Sequence, residues 1–239
     1  MNAPQFRLEP IVDIVRGEPL GYELLAGANR CPDLSEEGWR DFYIKLPDLF
    51  RDTIPTSVRV FINVDSRQVL DPAIIASLHA ITDRDRLVVE WTEHFRTAIS
   101  YEAASKAFTS LKHHGFALAI DDVGTGYDGI GRTLRVMPTF AKLDMSLTHL
   151  ARSGQPMGNH DPDLVSRFGG NIAKPRFLRD LNDFFEGIGT RVIAEGVESI
   201  DDLERVRASG IRFGQGYHFA PAAEKGWSFF PGMPLVAAG

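Results

Sequence analysis

The stretch "FALAIDDVGTGYDGI", residues 116–130, runs from apolar residues into two adjacent carboxylates, Asp121 and Asp122, and then into a turn holding Gly124, Gly126 and Tyr127. Phe116 to Ile120 reads as a strand buried on both faces, the habit of parallel sheets covered by helices. Immediately before it, "SYEAASKAFTSLKHHG" (100–115) has helical periodicity, with Ser100 placed to cap it and Gly115 placed to end it. A helix, a buried strand, an acid pair at the strand end and a glycine turn therefore follow one another, and the same rhythm extends in both directions.

Seven further segments read as strands: "FRLEPIVDI" (6–14), "YELLA" (22–26), "VRVFINV" (58–64), "LVVEW" (87–91), "TFAKLD" (139–144), "RVIAE" (191–195) and "RFGQGYHF" (212–219). Helical periodicity fills 66–81, where Pro72 marks a helix start, and also 174–189 and 199–210. Strands alternating with helices define an α/β fold. Eight strands in this length predict a TIM-like (β/α)8 barrel, a single domain over 1–239 with no internal repeat. The first two strands are joined by the hairpin-like turn "VRGEPLG", so the first strand is expected to run antiparallel to its neighbour. One segment breaks the rhythm: residues 145–173 form an irregular, glycine-bearing insertion, of the length that functional or merely surface loops reach. The Gly-, Pro- and Ala-rich tail after Pro221 is expected to cap the barrel.

Composition narrows the function. The chain has 239 residues, 44% hydrophobic and 24% charged, with a net charge of −6. That balance argues against a duplex nucleic acid partner, which needs a basic surface. The single cysteine, Cys31, excludes an intrachain disulfide. No membrane segment and no signal peptide are expected, which points to a cytoplasmic protein.

Polar residues recur at strand ends: Glu23, Asn63, Glu90, Asp121, Asp122, Lys142, Glu195 with Glu198 behind it, and Gln215. In a (β/α)8 barrel those ends converge on the face that carries the active site. So many carboxylates repel one another, and Lys142 alone does not balance them; either several are protonated or cations neutralise them. Ligands that are all oxygen favour hard ions such as Mg²⁺ or Mn²⁺ over Zn²⁺. Adjacent aspartates can serve two ions, an arrangement suited to in-line displacement at phosphorus. Blander readings exist for each part. An Asp-Asp pair before a glycine turn is common turn chemistry, a lone strand-end Glu is usually a surface residue, and the "GTG" lacks the lysine of a P-loop. "HD" at 160–161 is a weak hint of a different metal hydrolase.

At these residues the chain resembles the EAL domain family. "YELLA" is similar to the Glu-Ala-Leu signature, "FINVDSRQVL" to the Asn-bearing strand, and "VVEWTEH" to the Leu-Glu-Leu-Thr-Glu segment. "AIDDVGTGYDGI" resembles the Asp-Asp-Phe-Gly-Thr-Gly loop, "AKLD" the Lys-Ile-Asp, "VIAEGVES" the Ala-Glu-Gly-Val-Glu, and "GQGYHFAPA" the Gln-Gly-Tyr segment. The order is kept from about Glu9 to Pro221. The resemblance implies a barrel with an antiparallel first strand that hydrolyses cyclic di-GMP to linear pGpG with two Mg²⁺ or Mn²⁺ ions. It implies that Glu23, Asn63, Glu90 and Asp121 hold one ion, and Asp121, Asp122 and Glu195 the other. Lys142 and Gln215 would contact the attacking water, and Glu198 would brace the loop after Asp122. A homodimer through the side of the barrel near that loop is implied as well.

The departures are specific. Leu24 stands for the signature Ala, Val123 for the loop Phe, and Met145 for a basic residue. Gly27 stands where the family usually has an arginine that contacts a substrate phosphate; Arg30 is the candidate to substitute for it. Losing such a charge-assisted contact weakens binding by roughly 1–3 kcal/mol. Two readings stay open at this point: an active cyclic di-GMP phosphodiesterase, or a degenerate domain acting as a non-hydrolysing receptor or protein-interaction module. With no sensory or cyclase domain in the sequence, control is expected from expression, dimerisation or a regulatory protein partner.

Overall fold

A computed structural model describes residues 6–26, 36–52, 54, 59–92, 101–124, 129–148 and 174–219, and within them eight strands and six helices are defined from end to end, helices following every strand from β2 to β7. The strands are β1 (Phe6–Asp13), β2 (Glu18–Ala26), β3 (Val60–Asp65), β4 (Leu87–Thr92), β5 (Ala117–Val123), β6 (Phe140–Leu143), β7 (Arg191–Ala194) and β8 (Phe213–Gln215). The helices are α1 (Glu36–Asp52), α2 (Pro72–Ala80), α3 (Tyr101–His113), α4 (Gly129–Val136), α5 (Lys174–Gly187) and α6 (Ile200–Ala208). The ladder closes in chain order from β1 to β8, giving the expected (β/α)8 barrel. β2 pairs with β3 and β3 with β4 in parallel, as β5, β6, β7 and β8 do in turn. β1 is the exception: it runs antiparallel to β8, with Ile11 opposite Gln215.

The reversal of β1 is built into its turn. Gly17 has φ +71°, a left-handed backbone that glycine adopts without steric cost. Asp13 Oδ1 accepts from the backbone N–H groups of Val15 and Arg16 at 3.1 and 3.2 Å, an Asx-type closure. Its Oδ2 accepts from Arg212 at 2.6 and 2.8 Å. Those Arg212 bonds lead the causes that hold the buried Asp13 carboxyl below the usual carboxylate range.

The chain divides into two compact units, one built on Gly21–Ala117 and the other on Pro10–Leu20 with Leu118–Ala220. In the first, β3 and β4 are buried almost throughout, through Val60, Phe61, Ile62, Val64, Leu87, Val88, Val89 and Trp91. Such strands read as continuous apolar runs because helices cover them. Tyr43, Leu46 and Phe50 of α1, Ile74 and Leu78 of α2 and Phe108 of α3 are buried too, and Trp91 stacks on Phe108 with centroids 4.6 Å apart. In the second unit, Leu118 and Ile120, Phe140 and Leu143, Val192 and Ile193, and Phe213 are buried with Leu178, Phe185 and Val206. Among the described residues no helix is long and apolar enough to cross a membrane.

Local details refine the sequence reading, and each has a physical setting. Within 66–81 the helix begins at Pro72, the start read from the sequence: Asp71 caps it by accepting from Ala73 N, and residues 68–70 form a separate 3-10 turn. The strand expected over 212–219 stops at Gln215. Gly216, at φ +146°, lies so close to Val197 that a Cβ there would meet its backbone N and O at 2.5 Å, and a 3-10 turn follows at Tyr217–Phe219. The sequence reading did not identify α1, which carries Pro47 inside it, or α4, which is only 8 residues long and holds two glycines. Most of the 145–173 insertion, from residue 149 on, lies outside the described residues; 145–148 are helical.

Candidate active site

The puzzle set by Asp121 and Asp122 is geometric. Successive side chains in a strand point to opposite faces, so two adjacent carboxylates do not ordinarily serve one site. β5 resolves this with a bulge. Ile120 is level with Ala141 and Val123 with Leu143, so Asp121 and Asp122 together face the single residue Lys142 of β6. Bulges of this kind re-aim side chains and are common beside active sites. Asp122 takes φ +54° to make the turn, a conformation that Asp tolerates better than most residues. Ligand oxygens of Asp121, Asp122 and Glu195 come within 4.8 Å of one another as a result.

Glu195 reaches this cluster from the residue after β7, where Glu195 N donates to Leu143 O at 3.0 Å and so continues the ladder. Lys142 Nζ lies 2.8 Å from Glu195 Oε1 and 3.3 Å from Asp121 Oδ1, with its side chain only 1% exposed. The lysine is thus a point charge fixed between two carboxylates. It does not neutralise the group. Burial, then the charges of Asp121 and Asp144, push the Asp122 carboxyl up to about 7, against the opposing pull of Lys142 and Arg132. Among the described residues, four carboxylates (Asp121, Asp122, Asp144 and Glu195) gather about Lys142 and Arg132, and a divalent ion would help to hold them ionised. The oxygen-only donor set fits a hard ion. Gln215 closes β8, nearly buried, with its carbonyl accepting from Val197 N at 3.0 Å. Glu198 is half-buried, and its N–H donates to Asp202, the buried acid of the α6 capping box. The residues after Gly124 that Glu198 was expected to brace lie outside the described residues, as do Arg30 and Gly27.

In the other unit, Glu23, Asn63 and Glu90 come from the neighbouring strands β2, β3 and β4. Asn63 is level with Glu90 in the parallel ladder, and Glu23 pairs with Phe61 two residues back. Asn63 Nδ2 donates to Glu23 Oε1 at 2.7 Å. A carboxylate only accepts, so this bond fixes the amide with its NH₂ toward Glu23. The amide oxygen, Oδ1, is then presented elsewhere, buried and without a hydrogen-bond partner among the described residues. A buried oxygen of that kind is costly unless something satisfies it. Together with the nearly buried Glu23 and the fully buried Glu90, it fits a cation ligand set.

Three residues that sequence reasoning did not single out belong to this setting. Asp144 contributes to the field at Asp122. Tyr43 of α1, fully buried, donates through its hydroxyl to the backbone carbonyl of Asn63. Arg132 of α4, 1% exposed, donates from Nη2 to the backbone carbonyl of Asp121 at 3.0 Å. The signal for Arg132 was present: Gly129, Arg132, Thr133 and Val136 form the buried helical face, with an arginine at a core position.

Comparison with known proteins fits this geometry. The EAL domain model matches residues 45–222. Among curated proteins, the probable cyclic di-GMP phosphodiesterase PdeG of Escherichia coli is 26% identical over 70% of this chain and 30% of its own length. The cyclic di-GMP phosphodiesterase PdeL of the same organism is 31% identical over 58% of this chain and 33% of its own length. The chain thus spans about a third of these relatives. Among solved structures, an EAL domain protein from Listeria monocytogenes superposes with a TM-score of 0.71 at 19% identity, covering 92% of this chain and 90% of that one. Klebsiella pneumoniae BlrP1, in a complex with manganese and cyclic di-GMP, gives a TM-score of 0.68 at 21% identity, over 90% of this chain and 55% of that one.

Proposed function

The chain belongs to the EAL domain family, and from that premise we propose that it is a metal-dependent phosphodiesterase hydrolysing cyclic di-GMP to linear pGpG. The observation that carries the reading is the bulged pair Asp121 and Asp122, gathered with Glu195 around the buried Lys142. An acid cluster with a fixed ammonium inside it suits a reaction in which negative charge builds on phosphate oxygens.

In this proposal Asp121, Asp122 and Glu195 hold one divalent ion, Mg²⁺ or Mn²⁺, and Glu23, Asn63 and Glu90 supply ligands for a second. Such ions polarise a phosphoryl oxygen and lower the pKa of bound water. The protein's own groups do the rest. Water adds to phosphorus, the P–O3′ bond breaks, and one diester becomes a 5′-phosphate and a 3′-hydroxyl. Lys142, pinned by Asp121 and Glu195, is held as a point charge against the attacking water or a phosphate oxygen. Gln215, with a donor and an acceptor on one amide, orients that water. Glu198 braces the segment after Asp122, and Arg30 takes the phosphate contact that Gly27 cannot make. The same reading places the protein in the cytoplasm, under the control of a homodimer contact or a regulatory protein.

The test is incubation with cyclic di-GMP and Mg²⁺ or Mn²⁺, following pGpG by chromatography, with EDTA and the Glu23→Ala and Asp121→Ala variants alongside. Metal-dependent turnover lost in both variants is the expected result. Saturable binding without turnover would overturn hydrolysis and make the domain a receptor.

A further inference from the structure

The bulge that aims both aspartates leaves two weak points in the backbone. It breaks the regular register of β5 against β6, and it holds Asp122 at positive φ. A residue so placed keeps its conformation only where the surroundings over-determine it. Those surroundings come from α4, which touches the chain on each side of Asp122. On one side, Arg132 Nη2 donates to the carbonyl of Asp121 at 3.0 Å, fixing the plane of the peptide that joins the two aspartates. On the other, Gly129 lies against Val123 so closely that a Cβ would stand 3.0 Å from the Val123 Cα. Thr133 Oγ1 donates back to Gly129 O at 2.8 Å, at this end of the helix. From just beyond β6, Asp144 N donates to Val123 O at 3.1 Å and holds that residue from a third direction.

Burying an arginine completely is costly, since long charged side chains are rarely taken wholly out of water, and one of its contacts here is the Asp121 carbonyl. A neutral donor would fill the hydrogen bond. The guanidinium adds a positive charge behind the acid pair, and it does so from a rigid, planar group whose direction is set. We infer that Arg132 is a positioning residue: through the Asp121 carbonyl it locks the Asp121–Asp122 peptide so that both carboxylates face the same cation. The inference rests on the metal-dependent reading above for the cation, but not for the lock. In this role Arg132 acts through Asp121, by the bond to its carbonyl.

The experiment uses the full chain, with Arg132→Met, Arg132→Lys, Gly129→Ala and, as a core truncation elsewhere in the same unit, Val206→Ala. Three quantities are read: Mn²⁺ affinity by electron paramagnetic resonance without substrate, kcat and KM for cyclic di-GMP, and the amide hydrogen exchange of Asp122 and Val123 in metal-free protein. Arg132→Met is expected to weaken Mn²⁺ binding and lower kcat by roughly 10–100-fold, the usual loss when a group supporting a ligand is removed. KM should change far less, and the Asp122 and Val123 amides should exchange faster. Arg132→Lys should recover part of each loss, and Gly129→Ala, which pushes α4 off Val123, should shift the same quantities in the same direction. Val206→Ala should lower the melting temperature and leave Mn²⁺ affinity unchanged. Unaltered exchange and unaltered Mn²⁺ affinity in Arg132→Met would overturn the inference, as would equal losses in Val206→Ala. If Arg132→Met does not fold, Arg132→Lys and Gly129→Ala decide by the same readings. A wild-type protein that takes up no Mn²⁺ would sink the metal-dependent reading instead, and the exchange measurement would still decide the role of Arg132.

Discussion

Two acid groups are built into this chain by different physics. Two neutral bonds hold the group on β2, β3 and β4: Asn63 donates an amide hydrogen to Glu23, and Tyr43 donates a hydroxyl hydrogen to the Asn63 carbonyl. The group on β5, β6 and β7 is supported by charge: Lys142 sits between Asp121 and Glu195, and Arg132 holds the Asp121 carbonyl. In each, an outer helix reaches a candidate ligand strand with one buried polar side chain. The difference is what each side chain must stabilise. Asn63 lies in a regular parallel ladder. Asp121 lies in a bulge with ligand oxygens of Asp122 and Glu195 within 4.8 Å, where a neutral donor would leave the acids unbalanced.

Removing the cation should therefore matter more than removing the amide. Lys142→Met takes the buried ammonium from between two carboxylates and should destabilise the metal-free protein by about 3–5 kcal/mol, read by urea unfolding in EDTA. Mn²⁺ should restore part of that loss, and turnover should stay abolished. Equal stability of Lys142→Met and wild type would erase the distinction between the two groups. Asn63→Leu removes one charged hydrogen bond and should cost about 1.5–3 kcal/mol in the same measurement. A larger cost there than for Lys142→Met would invert the comparison.

Acidity sharpens it further. Folded Asp122 holds its proton up to about 7, whereas an unfolded aspartate loses it near 3.8. The folded state then binds the extra proton between those values, so the stability of metal-free protein should fall as pH rises from about 4 to 7. Asp122→Asn should flatten that fall. With saturating Mn²⁺ the trend should reverse, because the ion displaces the proton. A smaller effect of opposite sign should come from His79, whose ring burial, then His114 and Arg84, hold below 6.5. Its contribution is present above that value and fades as pH falls through the lowered one, so His79→Gln should slightly flatten the acid limb of the melting-temperature profile.

Most of the barrel was readable because buried parallel strands and amphipathic helices write their periods into the residues. Val60 to Val64 and Leu87 to Trp91 are core runs in sequence and in structure. Asp71 and Pro72 announce the start of α2. The candidate ligand positions were readable because polar residues at strand ends stand out against such runs. What was not readable was how the pair is held. Nothing in "IDDVG" distinguishes a bulge from a straight strand, since the register belongs to β6 as much as to β5. Arg132 and Tyr43 were missed for a related reason. Each acts on a distant backbone carbonyl, and a carbonyl has no letter in the sequence. Short α4, with its glycines, offered too little apolar periodicity to be identified as the helix that carries the support.

The reversed first strand sets a timetable. β1 leaves the ribosome first, and its partner β8 leaves last, with Ile11 waiting for Gln215 across nearly the whole chain. At ordinary rates of synthesis that wait lasts roughly 10–40 seconds. Throughout it, β3 and β4 can pair in parallel as they emerge, while the β1 edge stays open to any other strand it meets. The Asp13–Arg212 ion pair sits at the seam where the two ends finally join. A chain cut short before β8 would carry every acidic residue of the proposed site and still have no closed ladder to hold them.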